Sequence, residues 1–214
     1  MNGGHEVNAE DPSNLSWAAV KQAVAESGPA HQREVCLARL SEHPQCGPTL
    51  ISLGNALADM GQYEEAEKLL QDALENCPER LSHLVQRALG ELYKSQQRWV
   101  EAEHAFQAAM IGREDDATSY IYLGTCYALQ GRLDEAEAQH RRGTECGEGC
   151  IDEAWLNLGL VLRARCRYEE AESCFEQALE MDPEYRAAAR ALADVKEARK
   201  IRDRELSPGD DGSG

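Results

Sequence analysis

The side chains with the clearest chemical potential lie in one short segment. Cys146 and Cys150 enclose the tripeptide Gly-Glu-Gly, and His140 lies six residues upstream of the first cysteine. Cysteine and histidine are ligands of structural zinc, and a cysteine pair can cycle between thiols and a disulfide. The spacing is not that of a Cys-x-x-Cys zinc site and no fourth ligand is evident, so we interpret the segment as a connection between elements. A metal- or redox-responsive scaffold using Cys146 and Cys150 stays open as the alternative.

No other grouping has a spacing that is typical of catalysis. The chain has no phosphate-binding glycine loop, no Gly-x-Ser-x-Gly and no His-Glu-x-x-His sequence. Its many carboxylate pairs fall on the polar surfaces of predicted helices, where acidic runs are usually solvated. The sequence therefore predicts no catalytic residue, no metal and no cofactor, in a protein that is not an enzyme.

A fourfold repeat organises the chain around these side chains. Four Leu-Gly pairs recur, and each glycine is followed twelve residues later by an alanine between two glutamates. The glycines are Gly54, Gly90, Gly124 and Gly159, and the alanines are Ala66, Ala102, Ala136 and Ala171. A period of about 34 residues indicates helix pairs that stack on their neighbours.

Each repeat is predicted to be a helical hairpin. In the first, apolar residues recur at helical spacing up to Gly61, which breaks the helix, and a second helix runs on towards Pro78. We expect Gly54 and Ala66 to lie where the two helices cross, because a helix glycine costs about 1 kcal/mol relative to alanine and close packing would offset this. The glutamates fall in the first turn of the second helix, where the helix dipole favours negative charge.

The pattern resembles the tetratricopeptide repeat over about residues 47–185. The third repeat departs from the signature with His140 and Gly143. The residues that match are Leu50, Leu53, Gly54, Leu57, Ala66, Leu70, Ala73 and Pro78; Leu89, Gly90, Tyr93, Ala102, Phe106 and Ala109; Tyr120, Leu123, Gly124, Tyr127 and Ala136; Trp155, Leu158, Gly159, Leu162, Ala171, Phe175, Ala178 and Pro183. The resemblance implies an all-α solenoid of stacked helix-turn-helix repeats with a C-terminal capping helix.

The ends of the array are predicted to be atypical. A degenerate repeat comes first, with Val20 at the glycine position and Gln32 at the alanine position, and an apolar stripe from Ala188 to Ile201 predicts the cap. The predicted boundaries are a disordered N-terminal tail at 1–12, a degenerate repeat at 13–46, repeats at 47–80, 83–116, 117–150 and 152–185, a capping helix at 186–205, and a disordered acidic tail at 206–214.

In this family the first helices of successive repeats line a concave groove, and by that resemblance ten residues are predicted to bind a partner. They are Ile51, Asn55, Arg87, Lys94, Ile121, Tyr122, Thr125, Asn157, Leu160 and Arg163. Amides, aliphatic groups and cations suit an extended or helical peptide, and the cations favour an acidic one. The alternative is that these are ordinary solvated residues. The Lys, Asn, Asn, Lys and Arg set with which some members hold chaperone C-termini is not present.

The net charge of −17, from 39 acidic and 22 basic side chains, restricts the partners. Such a chain repels phosphate backbones and anionic membranes, so we expect neither nucleic acid nor membrane as a partner. No apolar stretch approaches the roughly 20 residues of a transmembrane helix, and the polar N-terminus is unlike a secretory signal, which favours a cytoplasmic location with mostly reduced cysteines. We therefore predict a monomeric or weakly self-associating adaptor that binds a protein or peptide and helps to assemble a complex.

Overall fold

The computed structural model describes residues 28–43 and 47–206, and within these ranges the chain forms ten α-helices and no β-strand. The helices are α1 (Pro29–Glu42), α2 (Gly47–Asp59), α3 (Tyr63–Asn76), α4 (Ser82–Ser95), α5 (Trp99–Met110), α6 (Ala117–Leu129), α7 (Leu133–Thr144), α8 (Ile151–Ala164), α9 (Tyr168–Met181) and α10 (Arg186–Leu206). In these same ranges no helix is both long enough and apolar enough to cross a bilayer. The predicted tails at 1–12 and 206–214 (apart from Leu206) and the first helix of the 13–46 repeat lie outside the described residues.

The chain divides into two compact units, residues 1–105 and 106–214, and α5 crosses the division. In the first unit α2 packs against α1 and α3, and α4 packs against α2 and α3. In the second unit α6 packs against α7 and α8, while α9 packs against α8 and α10. Consecutive helices therefore form hairpins, and the predicted all-α fold of stacked helix-turn-helix repeats with α10 as capping helix is confirmed.

The repeated glycines make room for a large side chain from the second helix of their own hairpin. The pairs are Gly54 with Leu70, Gly124 with His140, and Gly159 with Phe175. A Cβ added at these glycines would lie 2.5 to 2.8 Å from the nearest side-chain atom. Ala66 is buried in the same hairpin, and the side chain that Gly54 accommodates is that of the residue sixteen positions further on, a contact that the sequence analysis did not predict.

One residue in the left-handed backbone conformation closes each hairpin, at Gly61 (φ +76°), Gln97 (φ +58°), Gly131 (φ +75°) and Cys166 (φ +59°). The residue that follows it donates its backbone N–H to the carbonyl oxygen five positions earlier, at 2.8 to 3.0 Å, as in a Schellman cap. A residue with a Cβ loses about 1–2 kcal/mol in this conformation. Two of the four turns therefore use a residue that fits them less well than glycine.

We expect Gln97→Gly to raise the free energy of unfolding by about 0.5–1 kcal/mol, because relief of the left-handed strain exceeds the added entropy of the unfolded chain. Chemical denaturation followed by circular dichroism measures the change. Gly131→Ala is the matched control, and we expect it to lower the free energy of unfolding by about 1 kcal/mol. A loss of stability in Gln97→Gly would contradict the strain assigned to this turn.

Candidate partner-binding surface

The first helices of the two hairpins in the second unit, α6 and α8, pack against each other and carry six of the ten predicted binding residues. Five of the six, which we call the α6–α8 face, are Tyr122, Thr125, Asn157, Leu160 and Arg163. All five are partly exposed. Tyr122 and Asn157 occupy equivalent positions one repeat apart, as do Thr125 and Leu160, so the two helices present the same register.

Two apolar side chains of the α6–α8 face are ordered by contacts with buried residues. The ring of Tyr122 stacks on Phe106, with ring centroids 5.6 Å apart and an angle of 15° between the planes, and Phe106 is fully buried. Leu160 packs against the core cluster that α8, α9 and α10 share. Because these side chains are already ordered, a ligand that contacts them pays little further side-chain entropy.

The cation of this face has a carboxylate neighbour on the capping helix. The guanidinium of Arg163 lies 3.6 Å from the carboxylate of Asp194, and these side chains are 38% and 69% exposed. An exposed ion pair of this length contributes between nothing and about 1 kcal/mol. A ligand carboxylate could therefore replace Asp194 at little cost.

Two predicted binding residues are buried instead of lining a surface. Ile51 and Ile121 are each 4% exposed, and Ile121 packs with Ala117 and Ala154 in a core cluster. Their aliphatic side chains hold a first helix against its neighbours. We therefore correct their assignment and leave both out of the candidate surface.

In the first unit the predicted residues differ in their surroundings. Asn55 is exposed on α2, while Arg87 and Lys94 are partly exposed on α4. The ammonium of Lys94 donates to both carboxylate oxygens of Glu91, at 2.6 and 2.8 Å. Because this pair compensates the charge of Lys94 locally, the predicted attraction of an acidic ligand is weakened here.

The segment that contains Cys146 and Cys150 is a connection held by backbone hydrogen bonds. A parallel bridge joins Asp116 to Glu148: the Ala117 N–H donates to the Glu148 carbonyl at 2.9 Å, and the Glu148 N–H donates to the Asp115 carbonyl at 3.0 Å. The Gly147 N–H also donates to the carboxylate of Asp115, at 2.7 Å. The connection between the third and fourth repeats is therefore fixed against the connection that precedes the third repeat.

The metal or redox alternative gains no supporting geometry from this segment. His140 is 1% exposed and packs on Gly124, so its imidazole belongs to the core. Burial, and then the charge of Asp115, raises the pKa of the Cys146 thiol, which disfavours the reactive thiolate. Within residues 28–43 and 47–206, no group of three or more His, Cys, Asp or Glu side chains could hold a metal ion.

The second glutamate of the Glu-Ala-Glu motif has a role that the sequence interpretation missed. Glu67 accepts a hydrogen bond from Arg98 at 2.7 Å, and Glu137 accepts one from Arg167 at 2.7 Å, so each glutamate binds an arginine from the turn of the next repeat. In the last repeat the cations come from the capping helix. The contacts there join Glu172 to Lys196 and Arg199. We call this contact the Arg–Glu clamp; its sequence signal is the arginine directly before a second helix.

The clamp is most extensive around Glu137, whose side chain is 12% exposed. Arg165, Arg167 and Arg141 each donate to its carboxylate at 2.7 Å. Burial alone would raise the pKa of Glu137, but hydrogen bonds from Arg141 and Arg167 outweigh it and lower the pKa below its ordinary value. The carboxylate therefore stays ionised at neutral pH, and its contribution to stability is lost only in acid.

We expect Glu137→Gln to lower the free energy of unfolding by about 1–3 kcal/mol, because three guanidinium groups lose their shared, partly buried acceptor. Thermal and chemical denaturation at neutral pH measure the loss. Glu145→Gln is the control, since Glu145 forms an exposed pair with Arg142 and its loss should change stability by less than about 0.5 kcal/mol. Equal effects of the two substitutions would contradict the clamp.

Three features define a tetratricopeptide-repeat protein: the paired helices, the glycines that accommodate a large side chain of the second helix, and the residues in the left-handed conformation that close the hairpins. The predicted resemblance is confirmed. Residues 43–205, about three quarters of the chain, match the family described as T7SS, ESX-1 secretion system protein EccA1, N-terminal domain. The chain belongs to this family.

Other relatives match a shorter stretch of the chain or are similar in fold. Human protein O-mannosyl-transferase TMTC2 is 29% identical over 89 residues, which cover 41% of this chain and 11% of TMTC2. The chain spans between 10% and 17% of the length of the curated relatives it matches.

Two solved structures are similar in fold. TTC0263, a thermophilic TPR protein of Thermus thermophilus, has a TM-score of 0.70 and 19% identity over 83% of this chain and 95% of its own. YrrB, described as a TPR protein with an unusual peptide-binding site, has a TM-score of 0.53 and 22% identity over 81% and 87%.

Proposed function

We propose that this protein is a non-enzymatic adaptor that binds a peptide or helix of a partner protein on the α6–α8 face and helps to assemble a complex. The observation that carries the proposal is the preformed pair of Tyr122, stacked on Phe106, and Leu160, packed on the core. Both side chains are held in one position by these contacts, and both present apolar surface next to polar groups. Such rigid anchors beside hydrogen-bonding groups are typical of peptide-binding surfaces.

The polar groups of the face complement a polypeptide backbone. The amide of Asn157 can donate to a peptide carbonyl and accept from a peptide N–H, and the hydroxyl of Thr125 can do either. Arg163 can bind a carboxylate in competition with Asp194. A preference for acidic segments therefore stays a prediction of this proposal, and Arg163 is the residue that would cause it.

The chemistry of the whole chain agrees with a protein partner. Its net charge of −17 opposes binding to phosphate backbones and to anionic lipid surfaces. YrrB, with the same fold, is described as having a peptide-binding site. We propose an adaptor for a protein partner on these grounds. A cytoplasmic location and a monomeric or weakly self-associating state stay predictions.

We expect the double variant Tyr122→Ala, Arg163→Glu to lose at least tenfold in affinity for peptides selected from a phage-displayed library on the full-length protein. Fluorescence polarisation of the selected peptides measures the affinity, and circular dichroism checks the fold. Lys200→Glu is the control, because Lys200 is exposed on α10 with only a loose contact to Glu197. Unchanged affinity in a folded double variant rejects the α6–α8 face as the binding site.

A further inference from the structure

Among the described second helices, three carry an acidic side chain at their second residue. These residues are Glu64 in α3, Asp134 in α7 and Glu169 in α9. The guanidinium of Arg165, the residue that follows α8, lies 2.6 Å from the carboxylate of Asp134. The guanidinium of Arg202, on α10, binds the carboxylate of Glu169. In the second unit, an acid at this position therefore accepts an arginine from the next element of the chain.

The contacts of Arg202 show how the start of α9 recognises a guanidinium group. Two nitrogens of Arg202 donate to the two carboxylate oxygens of Glu169, and the Cζ atom lies 5.3 Å from the ring centroid of Tyr168. The paired hydrogen bonds match the planar fork of arginine, and the face of the ring attracts its charge. These hydrogen bonds lower the pKa of Glu169 to about 2, so the carboxylate is charged at neutral pH. The tyrosine and the first glutamate of α9 together form a guanidinium site.

Helix α3 begins with the same residues in the same backbone conformation. Residues 62–67 have the sequence of residues 167–172 apart from the first, which is Gln62 in place of Arg167. Both helices have 14 residues and begin at the tyrosine, and the residue before them has φ −85° and ψ 58° at Gln62 and φ −89° and ψ 66° at Arg167. In both helices this preceding residue donates a hydrogen bond to the second glutamate. The guanidinium site of α9 is thus reproduced, in sequence and backbone geometry, at the start of α3.

The element that follows α3 has no cation at the corresponding position. Gln96 directly follows α4 and therefore corresponds to Arg165, which directly follows α8. The amide nitrogen of Gln96 lies 3.4 Å from a carbonyl oxygen of its own helix. Arg98, two residues further on, is bound to two other glutamates. Within residues 28–43 and 47–206, no lysine or arginine forms an ion pair with Glu64.

A cleft of about 470 Å³ lies beside these side chains in the first unit. We call it the α3 cleft, and the residues that line it are Gly61, Gln62, Tyr63, Glu64, Glu65 and Gln96. The ring of Tyr63 is 38% exposed and both glutamates are exposed, so a ligand can reach the ring and the carboxylates together. Clefts of about 300–1,000 Å³ bind drug-sized ligands, so this one is large enough for an arginine side chain.

We propose that the α3 cleft binds an arginine side chain of a partner protein. The guanidinium stacks on Tyr63 and donates to both carboxylate oxygens of Glu64, as Arg202 does at α9. Arginine suits the site better than lysine, because only a planar guanidinium can form the fork and stack on the ring at once. The net charge of −17 favours the approach of a basic segment. The α3 cleft belongs to the first unit, so it is a second binding site that does not depend on the α6–α8 face.

An NMR titration of the isotope-labelled full-length protein with the tripeptide acetyl-Gly-Arg-Gly-amide tests the proposal. Salt at about 0.15 M screens attraction to the acidic surface as a whole. We expect saturable shifts of the backbone N–H signals of residues 61–65 and of Gln96, with millimolar affinity because one side chain is bound. Tripeptides with citrulline or lysine in place of arginine are the controls. Both should bind at least roughly threefold more weakly, because citrulline has no charge and lysine cannot form the fork.

Any of three results of this titration overturns the proposal. The first is the absence of saturable shifts at residues 61–65 and Gln96. The second is equal affinity for the arginine and citrulline tripeptides, since the charge would then have no part in binding. The third is equal affinity for the lysine tripeptide, since the site would then not distinguish a guanidinium from an ammonium group.

Two variants assign the binding to the named side chains. Glu64→Gln removes the carboxylate, and Gln96→Arg places an internal guanidinium where Arg165 binds Asp134. We expect each to weaken binding of the arginine tripeptide roughly three- to fivefold. Glu75→Gln, which removes one charge at an exposed position further along α3, is the matched control and should leave the affinity unchanged.

Circular dichroism checks the fold of each variant, and Gln96→Arg introduces a residue that the chain already has at the corresponding position in the fourth repeat. Wild-type affinity in folded Glu64→Gln or in folded Gln96→Arg overturns the proposal. Peptides that bind the α6–α8 face should bind Glu64→Gln as they bind the wild-type protein. The two proposed binding sites can therefore fail separately.

Discussion

Gly159→Val is expected to lower the free energy of unfolding by about 3 kcal/mol. A Cβ at this position would lie 2.5 Å from Cε1 of Phe175, and the phenyl ring is fully buried, so it cannot move aside without disturbing its neighbours. Inserting carbon atoms into such a core typically costs about 1–3 kcal/mol, and the two extra methyl groups of valine place the effect at the upper end. Chemical denaturation measures the loss.

A double-mutant cycle tests whether this loss of stability arises from the contact between position 159 on α8 and Phe175 on α9. Phe175→Ala alone should lower stability by about 3–5 kcal/mol because it leaves a cavity. Combined with Gly159→Val, it should cost at least about 1 kcal/mol less than the sum of the two, because the valine then fills part of the space. Ser173→Val, at an exposed position of α9, is the control and should change stability by less than about 0.5 kcal/mol. If the two changes in the free energy of unfolding are strictly additive, the loss in Gly159→Val does not arise from contact with Phe175.

Stability is expected to fall by about 3 kcal/mol between pH 6.5 and pH 4 through His140 alone. Burial lowers the pKa of His140 to about 4 from its ordinary value of 6.5, and the residue is 1% exposed. Above pH 6.5 the imidazole is neutral in both states and contributes no pH dependence. As the pH falls below 6.5 the unfolded chain binds a proton that the folded protein does not, so unfolding becomes easier until about pH 4.

His140→Phe is the matched variant for this prediction. Phe175 fills the equivalent slot against Gly159, so phenylalanine suits the position, and the change removes the buried Nδ1 of His140, which has no hydrogen-bond partner. We expect a gain of about 1–3 kcal/mol at pH 7 and a larger gain at pH 4, because the variant lacks the histidine titration. Denaturation at a series of pH values gives the difference between the two proteins. A difference that stays constant from pH 7 to pH 4 would show that His140 is accessible to protons in the folded state.

Much of the fold could be predicted because each repeat is marked by residue patterns that are close together in the sequence. The Leu-Gly pairs and the Glu-Ala-Glu motifs recur at nearly constant spacing, and each element they define is a helix whose apolar side repeats every three to four residues. Gly61 indicated its turn, whereas Gln97 and Cys166 did not, because their side chains do not favour the left-handed conformation that those turns adopt. The turns at these two residues are imposed by the helices they join.

The binding residues could be predicted only in part, because a helix position does not reveal its neighbours. Ile51 and Ile121 were assigned to the surface from their register, but both are buried. The ion-pair partners of Lys94 and Arg163 differ in origin. Glu91 lies one turn before Lys94 on the same helix, whereas Asp194 reaches Arg163 from the capping helix and depends on packing. The summed charge of the predicted surface residues therefore differs from the charge that a ligand would encounter, because neighbouring carboxylates compensate the cations.

The sequence by itself determined the helices, their pairing into hairpins and the family, since these follow from short-range periodicity and from small residues at fixed offsets. It also placed His140 and the clamp arginines at their repeat positions without revealing what they contact. Only the tertiary structure decided that Gly159 receives Phe175, that His140 is a neutral core residue, and that Glu137 binds three arginines. The physical reason is that burial and ion pairing depend on distances between different helices, and residues 16 or 30 positions apart come together only when those helices pack.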